Sequence, residues 1–195
     1  MSAGSEIHLA IFASGNGSNA ASIIKYFKGH STIKISLILY NRKMAGVQHH
    51  AAANNIPSQY CPQLVINDQH ECEKIWNEYK IDGIILAGYL SLIPPHIIHR
   101  FQGKILNIHP ALLPSFGGHG MYGHHVHESV SLSGCSVTGL TIHLVNEEYD
   151  QGAIIYQCSV PIQPYTKPEE IAAQVLLYEH LSYPLIIDNF FGNKS

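Results

Sequence analysis

Strand-type apolar runs alternate with stretches of helical period along the first hundred residues of this chain, and no other feature restricts the fold as much. Runs at 7–13, 33–40 and 59–61 are each followed by a helical pattern, at 20–27, 45–54 and 67–79. Strands joined through helices pair parallel, because the crossover helix carries the chain back to the starting end of the sheet. A buried run at 83–87, a short helix with proline near its start at 94–101 and a strand at 104–108 continue the series. The last third changes character, with strands at 137–145 and 153–160 and a closing helix at 167–189. The expected fold is α/β and three-layered: a Rossmann-like, mostly parallel sheet flanked by helices, with antiparallel strands toward the C-terminus.

A length of 195 residues, 46% hydrophobic and 13% charged, suits one domain with a sizeable core, and neither repeat nor linker interrupts it. The formal charge of −3 leaves no broad basic surface, which speaks against nucleic acid or an anionic membrane as a partner. Cys61, Cys72, Cys135 and Cys158 are widely spaced without a Cys-x-x-Cys pair, as in a reduced cytoplasmic protein. The start, Met1-Ser2-Ala3-Gly4-Ser5-Glu6, lacks the basic and apolar regions of a leader, and no apolar run approaches the ~20 residues of a membrane span. The expected location is the cytoplasm.

The first strand leads into Ser14-Gly15-Asn16-Gly17-Ser18-Asn19-Ala20. Glycines there allow close backbone approach, and the helix that follows offers free N–H groups to an anion. The loop lacks the Gly-Lys-Ser/Thr ending of a nucleotide P-loop. It resembles Gly-x-Gly-x-x-Ala, but the second strand ends in Tyr40-Asn41-Arg42-Lys43, without the acid that a dinucleotide's ribose needs, so a monophosphate is preferred to NAD. Standing alone, the loop would read equally well as a turn that merely fits a strand to a helix.

The strand at 104–108 ends where His109-Pro110 forces a turn. Side chains alternate along a strand, so Asn107 and His109 point the same way, at the carboxyl end of a strand where α/β sheets collect ligands. Asp150, in Tyr149-Asp150-Gln151-Gly152, is by type alone a turn former, and His109 by type alone a structural histidine. Together they offer an amide, an imidazole and a carboxylate, a set able to run acyl transfer without a covalent nucleophile. A second group, His119, His124, His125 and His127, has no carboxylate or cysteine at metal-ligand spacing. A mobile loop opening into a helix is expected there, and no metal.

Taken in order, Ser14-Gly15-Asn16-Gly17-Ser18-Asn19, Leu86-Ala87-Gly88-Tyr89, Asn107-Ile108-His109-Pro110-Ala111-Leu112-Leu113-Pro114 and Tyr149-Asp150-Gln151-Gly152 resemble the phosphoribosylglycinamide formyltransferase family of folate-dependent enzymes, from Ile7 to about Phe191. The resemblance implies formyl transfer from 10-formyltetrahydrofolate to the amine of glycinamide ribonucleotide, with these two small molecules as the partners. Gly17, Ser18 and Asn19 would hold the substrate phosphate, and Glu179 would contact the glycinamide substrate, although a helix glutamate is as readily one that faces solvent. His70, Leu90, Ser91, Leu92, Ile93, Asn107, Asn146, Glu147, Glu148 and Tyr149 would form the folate pocket. It further implies one domain over 1–195, with a phosphate-binding half to about residue 100 and a folate and catalytic half beyond, acting as a monomer or homodimer.

In such a reaction the amine attacks the formyl carbon and the carbonyl oxygen becomes an anion. Asn107 and a protonated His109 are expected to donate to it, each preorganised donor contributing about 3 kcal/mol. Asp150 is expected to raise the pKa of His109 and to orient a water that relays the proton from attacking amine to leaving nitrogen. His70, Ser91 and His119 stand where the family often carries a basic residue. Alternatives are the formyltetrahydrofolate hydrolase and the formyltransferases acting on methionyl-tRNA or a sugar nucleotide; length argues against them, since the hydrolase's extra N-terminal domain and the tRNA enzyme's extra C-terminal domain do not fit into 195 residues. A non-catalytic nucleotide-binding module would have no need for Asn107, His109 and Asp150 together.

Overall fold

Period-two alternation in β1 (Ile7–Ala13) sends Leu9, Ile11 and Ala13 into one apolar cluster and Ala10 and Phe12 into another, so this strand is covered on both faces. A computed structural model describes residues 6–192; residues 1–5, read above for a leader, and 193–195 lie outside the described residues. The chain continues through α1 (Ser18–Phe27), β2 (Ile33–Tyr40), α2 (Val47–Ala53), β3 (Ser58–Tyr60), α3 (Gln63–Ile66), α4 (Gln69–Glu78), β4 (Gly83–Leu86) and α5 (Pro95–Arg100). It ends with β5 (Ile105–His109), α6 (His124–Ser133), β6 (Val137–Leu144), β7 (Ile154–Pro161) and α7 (Pro168–Gly192).

Among the described residues the strands form one seven-stranded sheet in the order β3-β2-β1-β4-β5-β6-β7. β1 to β5 pair parallel, while β5 with β6 and β6 with β7 pair antiparallel, which gives the expected mostly parallel sheet with antiparallel strands at its C-terminal side. Strand order reverses between β1 and β4, the switch point at which a crevice opens in sheets of this kind.

Helices cover both faces. Ile23 and Phe27 of α1, Val126 and Val130 of α6, and Ile171, Val175, Tyr183 and Ile187 of α7 belong to one cluster; Ile66, Cys72, Ile75, Trp76 and Ile97 belong to the other. In α1 the buried positions Ala20, Ile23, Ile24 and Phe27 follow the helical repeat. The helix expected at 67–79 starts at Gln69, because the Asp68 side chain accepts from the amides of His70 and Glu71 and caps it. Before it, α3 forms a single turn that the sequence pattern did not announce. Tyr183 ties α7 to the sheet: its hydroxyl lies 3.0 Å from the carbonyl of Leu86 and 3.1 Å from that of Leu106, at the ends of β4 and in β5. Among the described residues no helix is long and apolar enough to cross a membrane.

Candidate active site

A cavity of about 540 Å³ lies at the carboxyl ends of β1, β4 and β5. That volume is in the range of small-molecule sites. Ser18 and Asn19 at the start of α1 and Glu179 of α7 line one part, Leu90, Ser91, Leu92, Ile93 and Val145 another, and Asn107, His109, His143 and Asp150 a third.

The polar group at its base is assembled by sheet register. Asn107 of β5 stands opposite His143 of β6, and His109 opposite Thr141. Thr141 donates to the carbonyl of Ala111 at 2.7 Å and accepts from the amide of Leu113 at 3.0 Å, which pins the turn after His109 to β6. Asp150 is in the left-handed region at φ 57°, a conformation aspartate tolerates in turns. Gly152 lets the turn press against β6, since a Cβ there would come within 1.6 Å of the Leu144 carbonyl oxygen. Asp150 is thereby set between two rings, with Oδ2 3.5 Å from Nδ1 of His109 and Oδ1 3.5 Å from Nε2 of His143. Its Oδ2 also accepts from the amide of Gly118 at 2.9 Å.

His143, buried at 2% exposure, was not anticipated from the sequence. Its Nδ1 lies 2.8 Å from the carbonyl of Leu144, which can only accept, so Nδ1 carries the proton. In the neutral ring Nε2 is then an acceptor, and the Asn107 amide donates to it at 3.0 Å. The one available signal was a polar residue in an apolar strand; its partner depended on pairing register.

Protonation follows from these surroundings. Burial pushes Asp150 up, but the His143 contact, the nearby His109 and the Gly118 amide together hold it below the usual carboxylate value, so it is ionised. For His109 the balance is reversed: burial pushes the ring down and outweighs the upward pull of Asp150 and of the Phe116 carbonyl. The expected raised value is therefore corrected, because at 3% exposure desolvation of an imidazolium outweighs one carboxylate at 3.5 Å. The Nε2 of His109 also has an acceptor already, the Phe116 carbonyl at 2.8 Å.

At the other end α1 starts from Gly17 at φ 79°, where a Cβ would meet Val47 at 2.7 Å, so glycine is required for the tight turn. No side chain caps this helix and no acid occupies its first turn, which leaves its amide end open to an anion. Asn19 donates to Oε2 of Glu179 at 2.7 Å. Glu179 does not face solvent: at 6% exposure burial raises its carboxyl to about 7 despite the Asn19 bond.

Of the residues singled out from sequence, Ser18, Asn19, Leu90, Ser91, Leu92, Ile93, Asn107, His109, Asn146, Glu148, Tyr149, Asp150 and Glu179 line this cavity. Gly17, His70 and Glu147 do not. Gly17 shapes the turn beneath Ser18; His70 is exposed in the first turn of α4, held there by the Asp68 cap; Glu147 is exposed and pairs with His99 at 3.2 Å. His124 and His125 both reach Glu128 on the outside of α6, while His127 is buried and lines the cavity.

The sequence profile of the family described as formyl transferase matches residues 7–187. A chloroplastic phosphoribosylglycinamide formyltransferase of Arabidopsis thaliana is 40% identical over 185 residues, which cover 92% of this chain and 63% of that protein, so the chain spans less than two thirds of that relative's length. A phosphoribosylglycinamide formyltransferase of Bacillus subtilis is 34% identical over 188 residues, 94% of either chain. The crystal structure of a phosphoribosylglycinamide formyltransferase from Bacillus halodurans superposes with a TM-score of 0.86 at 32% identity, covering 96% of this chain and 97% of that one.

Proposed function

This chain belongs to the formyl transferase family, and from that we propose that it carries the formyl group of 10-formyltetrahydrofolate to the amine of 5'-phosphoribosylglycinamide in purine biosynthesis. The observation that supports the reading best is one cavity shared by the open amide end of α1, an apolar wall, and Asn107, His109 and Asp150 between them. Leu90, Leu92, Ile93 and Val145 offer the pterin of the donor a flat apolar surface, and Asn146 with neighbouring backbone groups offers hydrogen bonds. Ser18 and Asn19 receive the phosphate, with Glu179 toward the ribose hydroxyls or the amine. The donor brings the formyl carbon and the acceptor brings the nucleophile, so the protein needs no covalent intermediate.

Its own residues have three tasks in this scheme. The Asn107 carboxamide, oriented by His143, donates to the formyl oxygen as that oxygen becomes negative. His109 is neutral in the free protein; an anion forming beside it adds to the pull of Asp150 and favours the imidazolium. Its Nε2 must leave the Phe116 carbonyl to donate, which couples the chemistry to a shift of the 116–118 segment. Ionised Asp150 orients the water that moves the proton from the attacking amine to the departing nitrogen.

We further read the chain as one domain, its phosphate half ending near residue 100, acting as a monomer or homodimer in the cytoplasm; four free thiols support a reducing compartment. Mixing the protein with phosphoribosylglycinamide and a 10-formyl folate tests the function. Release of deformylated folate only when the amine is present supports the transferase, release without it indicates a hydrolase, and no release overturns both.

A further inference from the structure

On the reading above the cavity receives two anionic ligands, yet among the described residues no lysine or arginine lines it, and three acids do: Glu148, Asp150 and Glu179. Positive potential has to come from helix amide ends and from histidine. The lining histidines are His109, His119, His127 and His143. Two are engaged, His109 with the Phe116 carbonyl and His143 with Leu144 and Asn107, and His119 packs edge-on against Tyr149.

His127 differs from them. It is 6% exposed, and its Nδ1 is enclosed without a hydrogen-bond partner among the described residues. A nitrogen enclosed in that state costs free energy, which a ligand would recover once a turn of the ring brings it to the cavity. The residue lies one turn into α6, which starts from Gly123 with no capping side chain and no acid in its first turn. Tyr122, Gly123 and His127 all line the cavity, which is shared with Ala172, Val175 and Glu179 of α7. Burial, with His124 on its own helix and His109 at the end of β5, pushes the ring down to about 4, so it enters the site neutral.

A phosphate dianion taken out of water needs several donors. The α1 end supplies backbone amides, but the Asn19 side-chain amide is committed to Glu179, whose carboxyl opposes an anion once ionised. We propose that His127, at the end of the first turn of α6, is a second contact for the phosphate ester of the amine substrate, in addition to the loop before α1. The identity of that ligand rests on the function proposed above.

Calorimetric titration with ribose 5-phosphate tests the contact without turnover. Binding should weaken about tenfold in His127→Ala, the effect of losing a hydrogen bond to a charged group, and less in His127→Gln, which keeps a donor. In the assay the KM for phosphoribosylglycinamide should rise by a similar factor, while kcat and the KM for the folate stay within about twofold. Wild-type ribose 5-phosphate affinity in His127→Ala overturns the assignment, as does an equal loss of both substrates. The wild-type protein gives a check free of any variant: ribose 5-phosphate should shift the His127 ring nitrogens in NMR spectra saturably, and an unmoved ring overturns the contact. A protein inactive on phosphoribosylglycinamide that still binds ribose 5-phosphate through His127 would sink the functional reading and leave this one standing.

Discussion

Asn107 and His143 face each other across the β5–β6 ladder, with the carboxamide nitrogen 3.0 Å from Nε2 of the ring. That bond fixes which way the Asn107 amide points, and so where its remaining N–H can be delivered. His143→Ala removes the acceptor and frees the amide to rotate. A fall in kcat of roughly tenfold to a hundredfold is expected, the loss of one oriented donor, with both KM values nearly unchanged. His143→Gln, which retains an acceptor, should recover part of it. Wild-type kcat in His143→Ala would remove His143 from any positioning role.

Asp150 pulls the His109 ring upward against the stronger downward effect of burial. Asp150→Asn takes away the upward pull and leaves the desolvation, so the ring should titrate at still lower pH. NMR titration of the His109 ring reads this directly. In the proposed mechanism both the proton relay and the stabilised imidazolium depend on the charge, so the same variant should lose about two orders of magnitude or more in kcat. An unmoved or raised titration would show that Asp150 does not act on His109 electrostatically.

Glu179 titrates near 7, burial having raised it above the ordinary value of 4.5. The folded state therefore holds this proton more tightly than the unfolded chain does. The resulting stabilisation is fully present below about pH 4.5 and is lost as pH rises through about 7. Glu179→Gln has no such dependence, so its stability relative to wild type should improve between pH 4.5 and pH 8 by on the order of 3 kcal/mol. Urea unfolding of both proteins at the two pH values measures it. A difference that stays constant with pH would rule out a proton shared with the buried carboxyl.

Gly152 brings the Asp150 turn against β6, and a Cβ at this position would overlap the Leu144 carbonyl at 1.6 Å. Gly152→Ala must push the turn outward, because the atom it meets is backbone. We expect a destabilisation of about 2 kcal/mol or more, together with a drop in kcat as Asp150 moves away from both rings. Thermal unfolding and steady-state kinetics report the two effects separately; a stable, fully active variant would mean that the turn's approach to β6 is dispensable.

Most of the scaffold follows from nearest-neighbour patterns. The runs at 7–13 and 33–40 coincide with β1 and β2, and the other strands shift by a residue or two. Asn107 and His109 could be placed on one face because strand periodicity is local, and Gly17 could be placed at a turn because its conformation is local too. Glu179 lay in a pattern open to the same reasoning: Ile171, Val175, Tyr183, Ile187 and Phe191 repeat every four residues along α7 and are all buried, and Glu179 completes that row. A glutamate in an apolar stripe is a buried one.

What periodicity could not supply was the pairing of distant segments and the cost of burying charge. Asn107 and His143 are 36 residues apart, and they meet only because β6 pairs antiparallel in one register with β5; a slip of one residue would turn His143 to the opposite face. His109, Asn107 and Asp150 were recognisable as residue types able to run an acyl transfer, yet whether the imidazole is charged depends on how much water surrounds it. That quantity belongs to the packed molecule, since desolvation sums over every element that closes around the ring, and it reversed the direction expected from a carboxylate neighbour alone.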